Sequence, residues 1–162
     1  MHIREAAIND LPFILDIMND AILNTTSIYD YNARTIEFVE NWFRQKKLDH
    51  MPVLVYETNG NTVAYGSYGI FRAWEAYKFS VEHSIYVKTD FQGKGIGKQL
   101  LMALIEKAKE DGYHTMIAGI DASNESSCAF HQKLGFTAVG KFKEVGYKFD
   151  RWLDLVFMQL ML

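Results

Sequence analysis

The chain of 162 residues has the length of one domain, and its 49% hydrophobic and 23% charged residues are typical of a globular protein. A net charge of −3 with no long basic run disfavours a nucleic-acid partner, and a single cysteine, Cys128, excludes an internal disulfide and a cysteine-based zinc cluster. Because no signal segment or run of about 18 apolar residues is found, we expect one domain over residues 1–162 in the reducing cytoplasm, without a membrane or metal partner.

The first half of the chain predicts four strands, with two helices between the first strand and the second. The strands are expected over residues 2–8, 53–57, 63–71 and 79–88. The first helix has Asp10 as its expected N-cap and Pro12 in its first turn. The second helix begins at Asn32 or Thr35, and an aromatic-rich loop over 72–78 precedes the fourth strand.

The second half predicts two helices and three strands. In chain order these are a helix over 97–111, a short strand over 116–120, a helix over 124–134 and two strands after Thr137. Gly112 and Gly135 are the expected ends of the two helices. The apolar strand over 116–120 is typical of the middle of a sheet.

A glycine-rich loop between the fourth strand and the third helix carries the strongest functional signal. Closely spaced glycines allow backbone conformations that are closed to other residues, and the free N–H groups at a helix start attract anions. The spacing excludes a P-loop, because Gln99 follows Gly97-Lys98. It is also one residue short of a dinucleotide-binding fingerprint. We therefore expect a phosphate-bearing ligand, and the alternative is a strand-to-helix turn without one.

The pattern Gln-x-x-Gly-x-Gly from Gln92 to Gly97 resembles the pyrophosphate loop of the GNAT superfamily of acetyl-CoA-dependent N-acetyltransferases. Four further segments look like the phosphinothricin and methionine sulfoximine N-acetyltransferase branch, at 81–87, 124–127, 131–136 and 145–148. The resemblance covers nearly the whole chain and implies an α/β (α+β) GNAT fold. This fold has one mixed, mostly antiparallel sheet of about seven strands flanked by about four helices.

The same resemblance implies acetyl-CoA as cofactor. The main chain of Ile85, Tyr86 and Val87 is expected to pair with the pantetheine arm like an added strand. The residues expected to hold the pyrophosphate are Gln92, Gly93, Lys94, Gly95, Ile96, Gly97 and Lys98. The other expected cofactor contacts are Asn124, Ser127 and Lys133. Asn124 has the alternative role of capping the fourth helix.

Two residues are candidates for the chemistry. Glu82 lies in an apolar strand, where a carboxylate is costly to bury, and it matches the proposed base of the branch. It would deprotonate an amine with a pKa near ~10 before the amine attacks the thioester; the alternative is a cross-strand salt bridge. His131 stands where many GNAT enzymes have a tyrosine that protonates the leaving thiolate, so it is an acid, a cofactor contact or a core side chain. Strand alternation turns His83 away from Glu82.

The acceptor is the least determined part of the prediction. Arg72, Trp74, Glu75 and Tyr77 precede the fourth strand and are expected to bind it, with Arg72 clamping a carboxylate. The alternative is a surface loop whose aromatic side chains pack on a second subunit. The resemblance implies direct attack by the primary amine of a small amino-acid-like acceptor, of phosphinothricin or methionine sulfoximine or sulfone type, in a ternary complex, and a homodimer. Acetylation of a polyamine or a protein N-terminus, and a catalytically silent acetyl-CoA-binding protein, remain alternatives.

Overall fold

Strands and helices follow one another in the order expected from the sequence in the computed structural model, which describes residues 2–162. The strands are β1 (His2–Glu5), β2 (Val53–Thr58), β3 (Asn61–Ile70), β4 (Ser80–Val87), β5 (Thr115–Asp121), β6 (Thr137–Lys148) and β7 (Arg151–Met161). The α-helices are α1 (Leu11–Asn24), α2 (Ile36–Leu48), α3 (Ile96–Glu110) and α4 (Glu125–Lys133).

The strands form one seven-stranded sheet in the order β1-β2-β3-β4-β5-β7-β6. Every neighbouring pair is antiparallel except β4 and β5, which are parallel and are joined through α3. The predicted mixed, mostly antiparallel sheet is therefore confirmed. The single parallel pair lies at its centre.

Each face of the sheet has its own apolar core. On one face, Leu100, Leu101 and Leu104 of α3 are fully buried against the strands. On the other face, α1 and α2 pack through a separate cluster that includes Ile14 and Val39. The amphipathic periodicity of the helices produces this arrangement, because each helix presents one apolar stripe to the sheet.

Strand β4 divides its side chains between the two cores as alternation predicts. Val81 and Ile85 belong to the core on the α3 face. Tyr86 lies on the opposite face, where its ring centroid is 5.1 Å from that of Tyr65. Glu82 shares the face of Tyr86, because residues two and four apart along a strand point the same way. The face on which Glu82 lies is therefore the α1 and α2 face.

The structure corrects the predicted start of the fold at two points. The first strand ends at Glu5 and a 3₁₀ turn occupies Ile8–Asp10, so the predicted strand over 2–8 is too long. Asp10 is the N-cap residue of α1, as predicted, but its side chain makes no capping bond to the helix; the carboxylate accepts from Ala7 N and from the Arg4 guanidinium. The carboxylate has a stronger partner in Arg4 than in the free N–H groups of the helix. Of the two predicted starts of α2, Thr35 is confirmed as N-cap, accepting from Phe38 N at 3.3 Å.

The Asp10 carboxylate stabilises the fold through a buried ion pair. Hydrogen bonds from Arg4, Ala7 and Thr62 lower its pKa to about 2, although burial alone would raise it. We predict that Asp10→Asn lowers the free energy of unfolding by about 2 kcal/mol at pH 7, since the ionised form is favoured by nearly two pKa units. Because a lowered pKa stabilises only above the unfolded value, the difference should disappear as the pH falls from 4 towards 2.

Urea denaturation at several pH values measures this difference. Asp16→Asn is the matched control, because Asp16 is an exposed carboxylate of the helix that follows. A destabilisation of Asp10→Asn that did not change with pH would contradict the ion-pair explanation.

Candidate active site

The central parallel strands separate after a short stretch of pairing. β4 and β5 are in register at Ser80 with Thr115, Val81 with Met116 and Glu82 with Ile117. β4 continues to pair with β3 as far as Val87, and β5 continues to pair with β7 as far as Asp121. The edge of β4 that faces β5 is therefore left without a strand partner after Glu82. Such an edge can pair with an extended ligand.

A cavity of about 860 Å³ occupies the gap between the two strands. The free edge of β4, the glycine-rich loop and the start of α4 form its walls. Of the residues predicted to bind the cofactor, it is lined by Ile85, Tyr86, Val87, Gln92, Gly93, Gly95, Ile96, Gly97, Lys98, Asn124, Ser127 and Lys133. The structure thus brings together predicted residues as far apart in the sequence as Ile85 and Lys133. Lys94 is the one predicted cofactor residue that does not line it.

The glycine-rich loop presents backbone N–H groups to this cavity. Gly93 and Gly95 have φ angles of 73° and 78°, which side-chain-bearing residues rarely adopt, and Gly95 is the N-cap of α3. The N–H groups of residues 93–98 donate to no acceptor within the described part of the chain. The Ile96 side chain points inward and is 5% exposed, so its backbone is fixed by the core. The loop is therefore a preformed anion site at a helix N-terminus.

Two polar side chains of the loop stabilise its shape. Gln92 Nε2 donates to Val87 O at 3.0 Å, which fastens the loop to the end of β4. Lys94 Nζ donates to Asp90 O at 2.8 Å and lies 4.9 Å from the ring centre of Phe91. Their side chains thus have partners within the loop, whereas Lys98 and Lys133 are exposed at the cavity and carry positive charge towards it.

Asn124 caps α4, as the simpler interpretation of the sequence predicts. Its Oδ1 accepts from Ser127 N at 3.0 Å and from Ser126 Oγ at 2.9 Å. The side-chain amide therefore has its oxygen engaged and its nitrogen available at the cavity. A role of the same residue in cofactor binding is compatible with this capping role.

His131 is buried and both of its ring nitrogens have partners. Nδ1 lies 2.7 Å from Ser127 O, and because a carbonyl only accepts, Nδ1 carries the proton. Nε2 lies 3.2 Å from Nε2 of His83, which is therefore the donor in that bond. Burial lowers the pKa of His131. Burial also lowers the pKa of His83 to about 3, and the repulsion that two protonated rings would have adds to this shift. Both rings are therefore neutral at pH 7. This arrangement leaves His131 no N–H for a thiolate.

Glu82 lies half-buried at the point where the two strands separate. Its Oε1 is 3.0 Å from the position that a Cβ would have at Gly119 of β5, so the missing side chain makes room for the carboxylate. Burial raises the pKa of Glu82, and the positive charge of Arg72 partly opposes this shift. No salt bridge holds the carboxylate in the described residues, so the alternative interpretation as a cross-strand pair is not what the geometry shows.

A second cavity of about 210 Å³ lies on the α1 and α2 face, and Glu82, Ser84 and Tyr86 line both cavities. The residues that α2 and β3 contribute to this cavity were not among the predicted site residues; they include Trp42, Lys46, Tyr65, Ser67 and Tyr68. One signal was available: Lys46 lies seven residues after Val39 and three after Phe43, on the apolar stripe of α2.

The predicted acceptor-binding loop lies outside both cavities. Arg72 stacks its guanidinium on Phe71, 5.0 Å from the ring centre, and influences Glu82 through its charge. Trp74 is 68% exposed and Tyr77 38% exposed, and neither these two nor Glu75 lines either cavity. The contacts of these four residues with the acceptor stay predictions.

A metal site, a membrane-spanning helix and a reactive cysteine are disfavoured within residues 2–162. No three His, Cys, Asp or Glu side chains come close enough to hold a metal ion in this range. No helix within it has the length and apolar character needed to cross a bilayer. Burial raises the pKa of the Cys128 thiol, which disfavours the reactive thiolate.

Comparison with known proteins gives consistent matches. Residues 3–157 match the model of the acetyltransferase (GNAT) domain family. The L-methionine sulfoximine/L-methionine sulfone acetyltransferase of Pseudomonas paraeruginosa is 45% identical over 98% of this chain and 92% of its own length. The structure of a ribosomal-protein-alanine N-acetyltransferase from Brucella melitensis is 46% identical with a TM-score of 0.99, covering 100% of both chains. A structure from Salmonella typhimurium with its cofactor acetyl-CoA is 42% identical, with a TM-score of 0.97 over 99% of this chain and 93% of that one.

The loop geometry generates a test with a matched control. Gly95 and Gly60 have φ angles of 78° and 77°, and a Cβ at either position would meet nothing within 4 Å. Alanine at each should therefore cost a similar strain, roughly 1–2 kcal/mol of stability. We predict that only Gly95→Ala weakens coenzyme A binding, by about tenfold, because relaxation of the strained φ turns one loop N–H away from the anion.

Calorimetric titration with coenzyme A measures the affinity, and urea denaturation measures the strain. Equal coenzyme A affinity in Gly95→Ala and Gly60→Ala would contradict the assignment of the loop as the anion site.

Proposed function

The chain belongs to the GNAT acetyltransferase family, and we propose that it transfers the acetyl group of acetyl-CoA to the primary amine of a small amino-acid-like acceptor. The observation that carries the proposal is the position of Glu82. This half-buried carboxylate without an ion-pair partner lines both the cavity between β4 and β5 and the smaller cavity on the α1 and α2 face.

The larger cavity suits acetyl-CoA. We propose that the diphosphate is bound by the N–H groups of residues 93–98, with Lys98 and Lys133 adding positive charge. The pantetheine arm would run along the free edge of β4, where Ile85 and Val87 offer backbone groups, and Asn124 and Ser127 would lie across from it. This placement brings the thioester towards Glu82.

The chemical step requires a neutral amine. We propose that Glu82 takes a proton from the acceptor ammonium, directly or through water, and that the nitrogen lone pair then attacks the thioester carbonyl carbon. The C–S bond breaks as the amide forms, coenzyme A leaves as a thiolate, and the second proton that the nitrogen loses passes to that thiolate, directly or through water. A thiol has a pKa near ~8.5, so the thiolate is a fair leaving group without an acid. This agrees with His131, whose ring nitrogens are both engaged, acting as a core side chain that supports α4.

The acceptor is proposed from the relative and the cavity together. The relative from Pseudomonas paraeruginosa is named for L-methionine sulfoximine and L-methionine sulfone, and another relative is named for phosphinothricin; we propose an acceptor of this class. The 210 Å³ cavity has the scale of one amino-acid side chain and is walled by Trp42, Tyr65 and Met18. The competing acceptor is a protein N-terminus, which the name of the Brucella melitensis protein favours. Coenzyme A release from L-methionine sulfone and from an alanine-initiated peptide distinguishes the two.

Replacement of the carboxylate tests the proposed base. We predict that Glu82→Gln lowers kcat by about 100-fold or more, the usual size of a general-base contribution, while coenzyme A affinity stays unchanged. In the wild-type enzyme the acid limb of the rate profile should lie above the ordinary glutamate value of 4.5, because burial raises the pKa of Glu82.

Initial rates from thiol release, with calorimetry for coenzyme A, provide both measurements. Glu40→Gln, an exposed carboxylate of α2, is the control and should match the wild type. A Glu82→Gln variant with the wild-type rate would remove this residue from the mechanism.

We further propose that the protein is a homodimer acting in the cytoplasm. The support is an apolar surface on β6, β7 and their turn, where Phe142, Val145, Phe149 and Trp152 are 50–60% exposed. β6 is also an edge strand of 12 residues, and long exposed edges are usually covered. A second copy of the chain would cover this surface.

Sedimentation equilibrium tests the dimer. We predict that wild-type protein sediments as a dimer at micromolar concentration and that Trp152→Ser shifts it towards monomer, because the largest exposed ring of the surface is lost. Phe79→Ser is the control, since Phe79 is 55% exposed but precedes β4 and belongs to neither β6 nor β7. A monomeric wild-type protein would contradict the proposal.

A further inference from the structure

Lys46 occupies a position that a helix normally gives to an apolar residue. On α2 it continues the stripe formed by Val39 and Phe43, which are 0% and 8% exposed. Its Nζ donates to Tyr68 O of β3 at 2.7 Å. The lysine therefore reaches across the core towards the sheet and not into solvent.

The ammonium group of Lys46 is only partly satisfied. Tyr68 O accepts one of its three N–H donors, and no carboxylate lies within 4.0 Å of it among residues 2–162. Burial lowers its pKa, and the charge of Asp49 opposes this only in part. A half-buried cation without an anionic partner has a desolvation cost, and an anionic ligand would offset it.

The sheet register places this cation close to Glu82. Gly69 of β3 pairs with Glu82 of β4, and Lys46 Nζ lies 3.2 Å from the position that a Cβ would have at Gly69. Because paired residues have Cβ atoms about 5 Å apart, the ammonium lies within roughly 8 Å of the Glu82 Cβ. Both side chains line the 210 Å³ cavity and no salt bridge joins them. The cavity is thus lined by a cation and an anion that are not paired with each other.

From this arrangement we propose that Lys46 binds the acid group of the acceptor while Glu82 receives its amine. The proposal rests on the proposed function and makes the carboxylate of the amino acid a requirement for tight binding. Two other cations are worse placed for this role. Arg34 is already paired with Asp30 at 2.7 Å, and Arg72 does not line the cavity. Lys46 is thus the cation of the cavity without an anionic partner.

Paired substrates separate this role from a structural one. L-Methionine sulfone is compared with the amine that has the same side chain and no carboxylate. We predict that Lys46→Met raises KM for L-methionine sulfone by about tenfold or more, the loss of a hydrogen bond between charged groups, with little change in kcat. The rate with the decarboxylated amine should stay within twofold of the wild type. Lys46→Arg should restore most of the affinity for the amino acid.

The neighbouring Lys47→Met is the matched control. Lys47 is exposed and lies 3.5 Å from Glu5, outside the cavity. Its substitution should change neither substrate. Calorimetric binding of L-methionine sulfone to the complex with coenzyme A gives a readout that does not depend on turnover, and the dissociation constant should rise in Lys46→Met by the same factor as KM.

Three outcomes would overturn the proposal. An equal loss with both substrates in Lys46→Met would assign the lysine to structure. A selective loss in Arg72→Met with no change in Lys46→Met would assign the acid group to Arg72. Unchanged affinity of Lys46→Met for the amino acid in calorimetry would exclude the contact. If the wild type binds L-methionine sulfone through Lys46 but acetylates neither substrate, the proposed function fails and the binding role stands.

Discussion

The active-site architecture depends on the separation of β4 from β5 after Glu82. If the two strands stayed paired, the backbone groups of β4 would be consumed by the sheet and no gap would exist. The end of β5 is held on the other side: Asp121 accepts from the Thr26 hydroxyl at 2.5 Å, and Arg151 approaches it at 3.4 Å. The lowered pKa of Asp121, to which the Thr26 bond contributes, shows that its ionised form is favoured. The gap is therefore maintained by contacts that pull β5 towards β7 and the segment after α1.

The segment after α1 is itself fixed by one lysine. Lys148 is 3% exposed, and its Nζ donates to the carbonyls of Ile22, Thr25 and Ile28 at 2.6–2.7 Å. All three N–H donors of the Lys148 ammonium therefore have a carbonyl acceptor. A fully satisfied buried ammonium stabilises a loop conformation, whereas a partly satisfied one is available to a ligand. Within the same fold, the ammonium of Lys148 has a backbone acceptor for each of its three N–H groups, whereas that of Lys46 has one.

Features set by local geometry could be predicted from the sequence. The positive φ angles at Gly93 and Gly95, and the division of β4 side chains between two faces, follow from residue type and strand periodicity alone. Features that depend on a distant partner could not. Asp10 is the N-cap residue of α1, but the sequence does not show that Arg4 binds its carboxylate, and His131 looks like an available acid until its contacts with Ser127 and His83 are known. Arg4 and His83 lie in other elements than the residues they contact, and no local pattern specifies such a partner.

Lys46 lies with Glu82 at the cavity on the α1 and α2 face but, unlike Glu82, was not predicted from the sequence as a site residue, and both charged side chains are costly to bury. Lys46 and Glu82 both lie partly buried, and burial shifts their pKa values in opposite directions, each towards the neutral form. A direct salt bridge between them would relieve both shifts, but it would close the cavity. Lys46 of α2 and Glu82 of β4 both line the cavity, and no salt bridge joins them. An amino acid zwitterion carries both a carboxylate and an ammonium group. The proposed acceptor would therefore supply an opposite charge to Lys46 and to Glu82, which have no such partner in the described part of the fold.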